Sequence, residues 1–384
     1  MTTARYLVGD VFERMAELED GSVDLVMTSP PFLALRSYLP ADHPDKAKEI
    51  GSEATPAEYL DTLLRLTAEW GRLLAPHGSI CVELGDTYAG SGGAGGDDKR
   101  PGWPLDKSLC GIPTLYAWSL AYGRNLLTGA PSPAGRWRVR NLVAWVRPNP
   151  PVGALGDKFR PATSFLTIAT RARDRYFDLD AVRTELKPGS ERPGGMPRGR
   201  LSNPGGDGDK WREGQKKLNR GSNPAGAPPL DWWEISTQPY SGSHYAVYPP
   251  ELCVRPIEAM CPRRVCTTCG QPSRRITKMT QQGTGRTTNG RKPRDRSESF
   301  AGATYNTRTV VAVETVGWSD CGHGTWRPGH VLDPFAGSGT TLAVAVGHGR
   351  AATGIDIDPR NADLARERLG MFLTVDDPRV EVAR

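Results

Sequence analysis

The chain has 384 residues, and nowhere among them is there an apolar run long enough to span a membrane, so no transmembrane helix is expected. Its first residues, Met1-Thr2-Thr3-Ala4-Arg5-Tyr6, include no apolar leader region, which argues against secretion and for a cytoplasmic protein. No internal repeat is visible. Neither sign of charge dominates. Lys and Arg total 49 against 43 Asp and Glu, a formal charge of +6, which permits a polyanionic partner without demanding one. The seven cysteines are an odd number, and several fall late in the chain. They point to a reduced compartment and a metal rather than to a disulfide scaffold. What is plentiful is Gly (44) and Pro (33), about a fifth of the residues, against the ~12% usual for globular chains. That excess predicts long loops around a core large enough for one α/β domain with an accessory module.

The core reads as alternating strands and helices. Residues 5–9 form a short strand and 11–18 a helix. Residues 23–28 are an apolar run broken only by Asp24, as in a strand buried on both faces. Thr55, Pro56 and Glu58 give an N-cap, a first-turn proline and a capping box for a helix whose leucines recur through Leu74. Residues 76–78 should stop that helix, with a strand over 79–84. Further expectations are a helix over 114–127 and strands over 141–146, 164–170, 309–316, 331–333 and 353–357. Helices are expected over 340–347 and 359–369. Such alternation implies an α/β fold with a mostly parallel sheet and helices on both faces. Residues 90–102, 186–230 and 270–308 lose periodicity and read as loops or linkers. Between Arg255 and Arg308 there are 12 basic and 3 acidic residues, a basic tract.

Two turns carry chemistry. The first is Thr28-Ser29-Pro30-Pro31-Phe32, at the end of the buried strand, where open α/β sheets place ligands. The paired prolines force the chain out of the sheet and fix their own φ angles. The Ser29 hydroxyl and the Pro30 carbonyl can accept hydrogen bonds from an amine, and the Phe32 ring can stack on a base. The bland alternative is a strand-ending turn with Phe32 in the core. The second is Asp333-Pro334-Phe335-Ala336-Gly337-Ser338-Gly339-Thr340-Thr341, a strand, a small-residue turn and a helix start. Its glycines allow close backbone approach to a ligand, and Asp356, nineteen residues past Gly337, suits a pair of ribose hydroxyls. Leu342 stands where the dinucleotide fingerprint needs its third glycine, which disfavours nicotinamide chemistry.

Together these turns resemble the amino-methylating DNA methyltransferases that use S-adenosylmethionine, in the β-class order with the catalytic turn first. The resemblance implies a Rossmann-like methyltransferase fold with permuted motif order and loop-rich insertions. It implies catalytic roles for Ser29, Pro30, Pro31 and Phe32. Cofactor contacts are implied for Asp333, Phe335, Gly337, Ser338, Gly339 and Thr340, with Asp356 on the ribose and Asp10 near the adenine. Trp145-Val146-Arg147-Pro148-Asn149-Pro150 and His244-Tyr245-Ala246-Val247-Tyr248-Pro249 resemble further family segments. The implied reaction is direct in-line methyl transfer to an exocyclic amine of a flipped base in double-stranded DNA. Ser29 in place of an acid or amide favours the N4 position of cytosine over adenine N6. A noncatalytic zinc-containing DNA-binding protein is the alternative from another class. A homodimer, a cognate restriction endonuclease and a bacterial or phage origin are further expectations.

The implied organisation is residues 1–185 as the catalytic half and 186–240 as the DNA-recognition region. Residues 241–260 are a cofactor-side segment, 261–327 a zinc-ribbon-like basic insertion and 328–384 the cofactor-binding half. Lys210, Trp211, Arg212, Lys216, Lys217, Arg220, Trp232 and Trp233 are the expected DNA contacts, with Arg286, Arg291, Lys292, Arg294 and Arg296 as a phosphate grip. Cys266-Thr267-Thr268-Cys269 and Cys321-Gly322-His323 have the makings of a Cys₃His zinc site, with Cys253 and Cys261 as rival ligands. Free thiols are the plain reading.

Overall fold

The computed structural model describes residues 2–35, 37–90, 101–150, 156–185, 225–237, 248–283 and 308–378. The chain divides into two compact units. The larger comprises Met1–Asp178, Leu230–Ser273 and Asp320–Arg384. The smaller comprises Leu179–Pro229 and Arg274–Ser319.

The larger unit is built on a nine-stranded sheet. In chain order its strands are β1 (Ala4–Val8), β2 (Val23–Thr28), β3 (Leu74–Leu84), β4 (Arg138–Val146), β5 (Thr163–Thr170), β6 (Trp232–Glu234), β11 (His330–Asp333), β12 (Ala351–Asp356) and β13 (Leu373–Asp376). Their spatial order is β13-β1-β12-β11-β2-β3-β5-β4-β6. Every pair is parallel except β3–β5 and β4–β5. The central strand β2 is buried at all six positions, as its apolar run demands. Three helices, α1 (Val11–Ala16), α2 (Pro56–Leu73) and α3 (Ile112–Tyr122), pack with Leu7, Val26, Ile80, Val82, Leu332 and Ile355 into one core. Three more, α4 (Glu251–Met260), α5 (Thr340–Gly347) and α6 (Pro359–Leu369), pack on one another and on β2, β3, β11 and β12. Side chains alternate across a strand, so these two sets of helices cover the two faces.

Helix α2 starts as its sequence dictates. Thr55 Oγ1 accepts from the Glu58 amide at 3.2 Å. Glu58 reaches back to the Ala54 amide at 3.1 Å, one residue earlier than a capping box requires. Its C-terminus differs from expectation. The helix ends at Leu73, and β3 begins at once instead of at residue 79. Val23 pairs with Leu74 and Leu25 with Ser79, so the intervening residues of β3, among them Pro76 and Gly78, bulge from the ladder. Helix α3 covers 112–122 rather than 114–127, because Gly123 adopts φ +71° and caps it there. Helix α4 was not expected at all, since Pro256 lies inside it. Its buried face of Leu252, Cys253, Ile257 and Met260 outweighs the hydrogen bond that the proline forfeits.

Asp24, the one charge in the apolar run of β2, is fully buried. It accepts from His77 Nε2 at 2.8 Å, Arg327 Nη1 at 2.6 Å and the His330 amide at 2.8 Å. Burial pushes its pKa up, but the hydrogen bonds from His77 and Arg327 outweigh that and hold it below the usual carboxylate range. The larger unit also holds a short antiparallel ladder of β7 (Arg264–Cys266) and β10 (Trp326–Pro328). In the smaller unit, β8 (Arg275–Gly283) and β9 (Arg308–Trp318) form an antiparallel ribbon, and Thr184 bridges Ala227. Among the described residues no helix is long and apolar enough to cross a membrane.

Candidate functional site

The two turns converge. β11 lies beside β2 in parallel, with Val331 opposite Leu25 and Leu332 opposite Val26. The chain therefore leaves both strands at the same edge of the sheet, about one strand spacing (~4.8 Å) apart. The junction is bonded directly, because Thr28 Oγ1 donates to Asp333 Oδ1 at 2.7 Å. Asp333 is fully buried and gathers three further donors: Phe335 N at 3.1 Å, Thr341 Oγ1 at 2.5 Å and Tyr248 Oη at 3.0 Å. Burial raises its pKa, and the hydrogen bonds from Thr341, Thr28 and Phe335 oppose the rise. Its carboxyl is thus spent on ordering both turns. Tyr248 is the described end of the segment 244–249 singled out in the sequence; residues 244–247 lie outside the described residues.

On the cofactor side, Gly337 adopts φ +48° and Gly339 φ +76°, backbone that a side chain would strain. The Gly337 carbonyl accepts from the buried Tyr6 hydroxyl at 2.7 Å, and its amide donates to Asp356 Oδ2 at 2.9 Å. Asp356 also accepts from the Asp358 amide at 2.8 Å and Asn361 Nδ2 at 3.1 Å. Burial raises its pKa to about 6 against those hydrogen bonds, although the residue keeps partial exposure at the rim. The Ser338 hydroxyl is buried with no partner among the described residues. An orphaned buried hydroxyl beside two left-handed glycines and a partly exposed carboxylate fits a polar, hydroxyl-bearing ligand such as the nucleoside of S-adenosylmethionine. Thr340, by contrast, is buried, and its hydroxyl accepts from Arg368. Asp10 caps α1, with Oδ1 accepting from Phe12 and Glu13 at 3.0 and 3.1 Å. It reaches the same sheet edge, since Gly9 N donates to the Asp356 carbonyl at 2.9 Å. Gly354 is a requirement the sequence reading overlooked. A Cβ there would stand 2.7 Å from that of Ala336, so β12 could not pack against the turn.

On the catalytic side, Ser29 Oγ donates to Glu83 Oε2 at 2.6 Å. The Ser29 proton is thereby committed to Glu83, which leaves the oxygen lone pairs for a substrate. Glu83, the penultimate residue of β3, is 2% exposed and was missed in the sequence. The available signal was an acid in an otherwise apolar run one residue past Val82, the partner of Thr28. Burial raises the Glu83 pKa, while hydrogen bonding from Ser164 and Ser29 and the charge of Arg147 oppose the rise. Arg147 follows β4, and its guanidinium stacks over Trp145 at 5.3 Å. Pro30 is buried and Pro31 half-buried. The Pro31 carbonyl is occupied by the buried Tyr59 hydroxyl at 2.7 Å. Phe32 is half-buried over Gly85, where a Cβ would stand 2.5 Å from its ring. Phe32 is thus partly packed on the core and partly exposed.

Cys266, Cys269, Cys321 and His323 are brought together elsewhere in this unit, with their donor atoms all within 4.8 Å of one another. Cys253 is buried against Thr341 and Cys261 caps α4, so neither rival joins them. Trp233, expected on DNA, is 6% exposed, with its indole donating to the Leu230 carbonyl at 3.0 Å. Pairing of β6 with β4 turns it inward, whereas Trp232 is 49% exposed. Residues 210–220 and 286–296 lie outside the described residues.

Comparison with known proteins agrees with this geometry. Residues 23–264 and 324–367 match the family model N6_N4_Mtase, described as DNA methylase. The Type II methyltransferase M.XycI of Xanthomonas campestris pv. cyanopsidis is 25% identical over 375 residues, covering 94% of this chain and 86% of its own length. M.SmaI of Serratia marcescens is 23% identical over 383 residues, covering 96% and 91%. Among solved structures, the cytosine-N4-specific PvuII DNA methyltransferase superposes with a TM-score of 0.52 at 13% identity, covering 96% of this chain and 86% of that one. The fold is thus the S-adenosylmethionine-dependent methyltransferase fold that the two turns implied. With three-quarters of its residues inside the family model and both turns meeting at one sheet edge, the chain belongs to the N6/N4 DNA methylase family.

Proposed function

We propose that the chain transfers a methyl group from S-adenosylmethionine to the N4 amine of cytosine in double-stranded DNA. The carrying observation is the Thr28–Asp333 hydrogen bond, which sets the Ser29 turn beside the Gly337 turn. When bound, S-adenosylmethionine supplies an electrophilic methyl on a sulfonium. The glycine turn, the Ser338 hydroxyl and Asp356 would hold it, and Asp333 would act by fixing the turn rather than by touching it. Asp10 lies on the adenine side of that pocket. The target cytosine leaves the duplex, at a cost of a few kcal/mol, and the open part of Phe32 stacks on it.

Ser29 Oγ and the Pro30 carbonyl accept from the amine. Of the two proline carbonyls, that of Pro31 is already taken by Tyr59. Two acceptors pull the amine hydrogens into line and turn the nitrogen lone pair toward the methyl. Transfer leaves a positive nitrogen, which must lose a proton. Ser29 Oγ takes that proton while passing its own to Glu83, 2.6 Å away. The charge of Arg147 opposes the rise that burial gives the Glu83 pKa.

Serine at the head of the turn supports cytosine over adenine. The relatives' Type II names support site-specific action on duplex DNA beside a cognate endonuclease. The test is nucleoside mass spectrometry of unmethylated DNA after incubation with S-adenosylmethionine bearing a labelled methyl. N4-methylcytosine is expected. N6-methyladenine would move the reading to adenine, and no label in either nucleoside would favour a noncatalytic DNA-binding protein.

A further inference from the structure

The family model skips residues 265–323. The described ends of that stretch carry a set of donors that methyl transfer does not use. We propose that Cys266, Cys269, Cys321 and His323 bind one zinc ion in a closed, structural centre.

Two turns present the ligands. In the first, Gly270 N donates to the Cys266 carbonyl at 2.9 Å, with Gly270 at φ +69°, so the chain folds back tightly after Cys269. In the second, Asp320 Oδ1 accepts from Gly322 N at 2.7 Å, with Gly322 at φ +83°. The ladder of β7 and β10 ties the turns together: Cys266 pairs with Trp326, and Thr267 N donates to the Thr325 carbonyl at 3.1 Å. His323 Nδ1 lies 3.6 Å from Cys266 Sγ and 3.4 Å from Cys321 Sγ. Tetrahedral zinc with bonds of about 2.3 Å to sulfur and about 2.05 Å to nitrogen would separate sulfur from nitrogen by about 3.6 Å. The donors therefore stand at ligand spacing.

The donor set selects the metal. Three soft thiolates and an imidazole suit zinc and exclude magnesium and calcium, which take oxygen ligands. Binding converts three thiols to thiolates and releases three protons, while neutral His323 gives a nitrogen lone pair. Four protein ligands leave no open position, so the ion does no chemistry of its own. Its place agrees. Arg327 of β10 pairs with Asp24 at the start of β2, and Ser29 follows the far end of that strand. At about 3.3 Å per residue the two ends are roughly 16 Å apart. The ion would instead clamp the chain on either side of residues 270–320, a polar stretch with little apolar material of its own.

The full chain, purified from zinc-supplied cells and desalted, is expected to hold one zinc per chain by mass spectrometry of the metal. Cys269→Ser and Cys321→Ser should each lose nearly all of it. Cys110→Ser, buried elsewhere, should keep it. His323→Cys keeps four ligands and should keep the ion, which guards against variants that merely misfold. Stripping with a chelator should lower the melting temperature and adding zinc should restore it. Cobalt in the stripped protein should give the intense visible bands of tetrahedral thiolate coordination. Wild-type protein with only trace zinc and a melting temperature indifferent to chelator would overturn the proposal. So would Cys321→Ser with full zinc, or a Cys266–Cys269 disulfide in the protein as isolated.

Discussion

Glu83→Gln is the sharpest test of the proposed chemistry. The substitution conserves shape and leaves an oxygen to accept from Ser29, 2.6 Å away, but removes the proton acceptor at the end of the relay. A positioned general base is worth about 10²–10⁴-fold. At the lower bound, methyl transfer should slow about 100-fold, or ~2.7 kcal/mol on the barrier. Glu83 does not touch the cofactor turn, so affinity for S-adenosylmethionine should stay within about two-fold of wild type. Its raised pKa also predicts a pH profile. Since the base must be ionised, the wild-type rate should fall as pH drops through a value above the ordinary carboxylate range, and the variant should lose that limb. The assay is single-turnover transfer of labelled methyl to DNA at saturating cofactor across pH, with cofactor affinity measured by calorimetry. Transfer within about three-fold of wild type, or an unchanged acid limb, would refute the relay.

Ser29→Ala should reduce turnover by at least about ten-fold and leave cofactor affinity nearly intact, since the hydroxyl serves the amine; equal losses in both would contradict that assignment. Asp333→Asn replaces one carboxylate oxygen by an NH2; with the remaining oxygen kept toward Thr28, the Thr341 and Tyr248 hydroxyls lose the acceptor they share, at about 1–3 kcal/mol each. It should lower the melting temperature and weaken cofactor binding together, and a normal melting curve would show that Asp333 does not organise the turns. Because the Asp356 pKa stands at about 6, affinity for S-adenosylmethionine should weaken as pH falls below that value, by up to about ten-fold per unit. The stability sign is opposite: a raised carboxyl favours the folded protein at low pH, and that contribution fades as pH rises through about 6. Calorimetric titrations on either side of pH 6 check the first effect, and flat affinity there would remove Asp356 from the ribose.

Legibility followed the range of the signals. The run 23–28, the cap at Thr55 and the turn at 333–341 are local patterns, and each appears where its residues place it. Helix ends were less legible when they depended on neighbours. Gly123 stops α3, and the bulge in β3 absorbs Pro76 and Gly78. Helix α4 contradicts its own proline because its buried face decides. At the site, the list of turn residues was readable but their partners were not. Asp333 and Thr340 spend their side chains on Thr28, Thr341, Tyr248 and Arg368, which lie far off in sequence or around a turn.

By itself the sequence determined most of the central strands and their helices, the two turns and the cysteine–histidine pairs, but not α4 or the short strands β6, β7, β10 and β13, nor β8 in a tract that reads as loop. Periodicity, proline and glycine restrict φ and ψ within a few residues. Only the tertiary structure decided that β11 lies against β2, so that Thr28 reaches Asp333 across 305 residues, that Glu83 stands behind Ser29, and that Trp233 turns inward while Trp232 does not. Register between strands, and the burial that shifts a carboxyl's pKa, depend on which distant segments share a sheet edge. No local pattern encodes that adjacency.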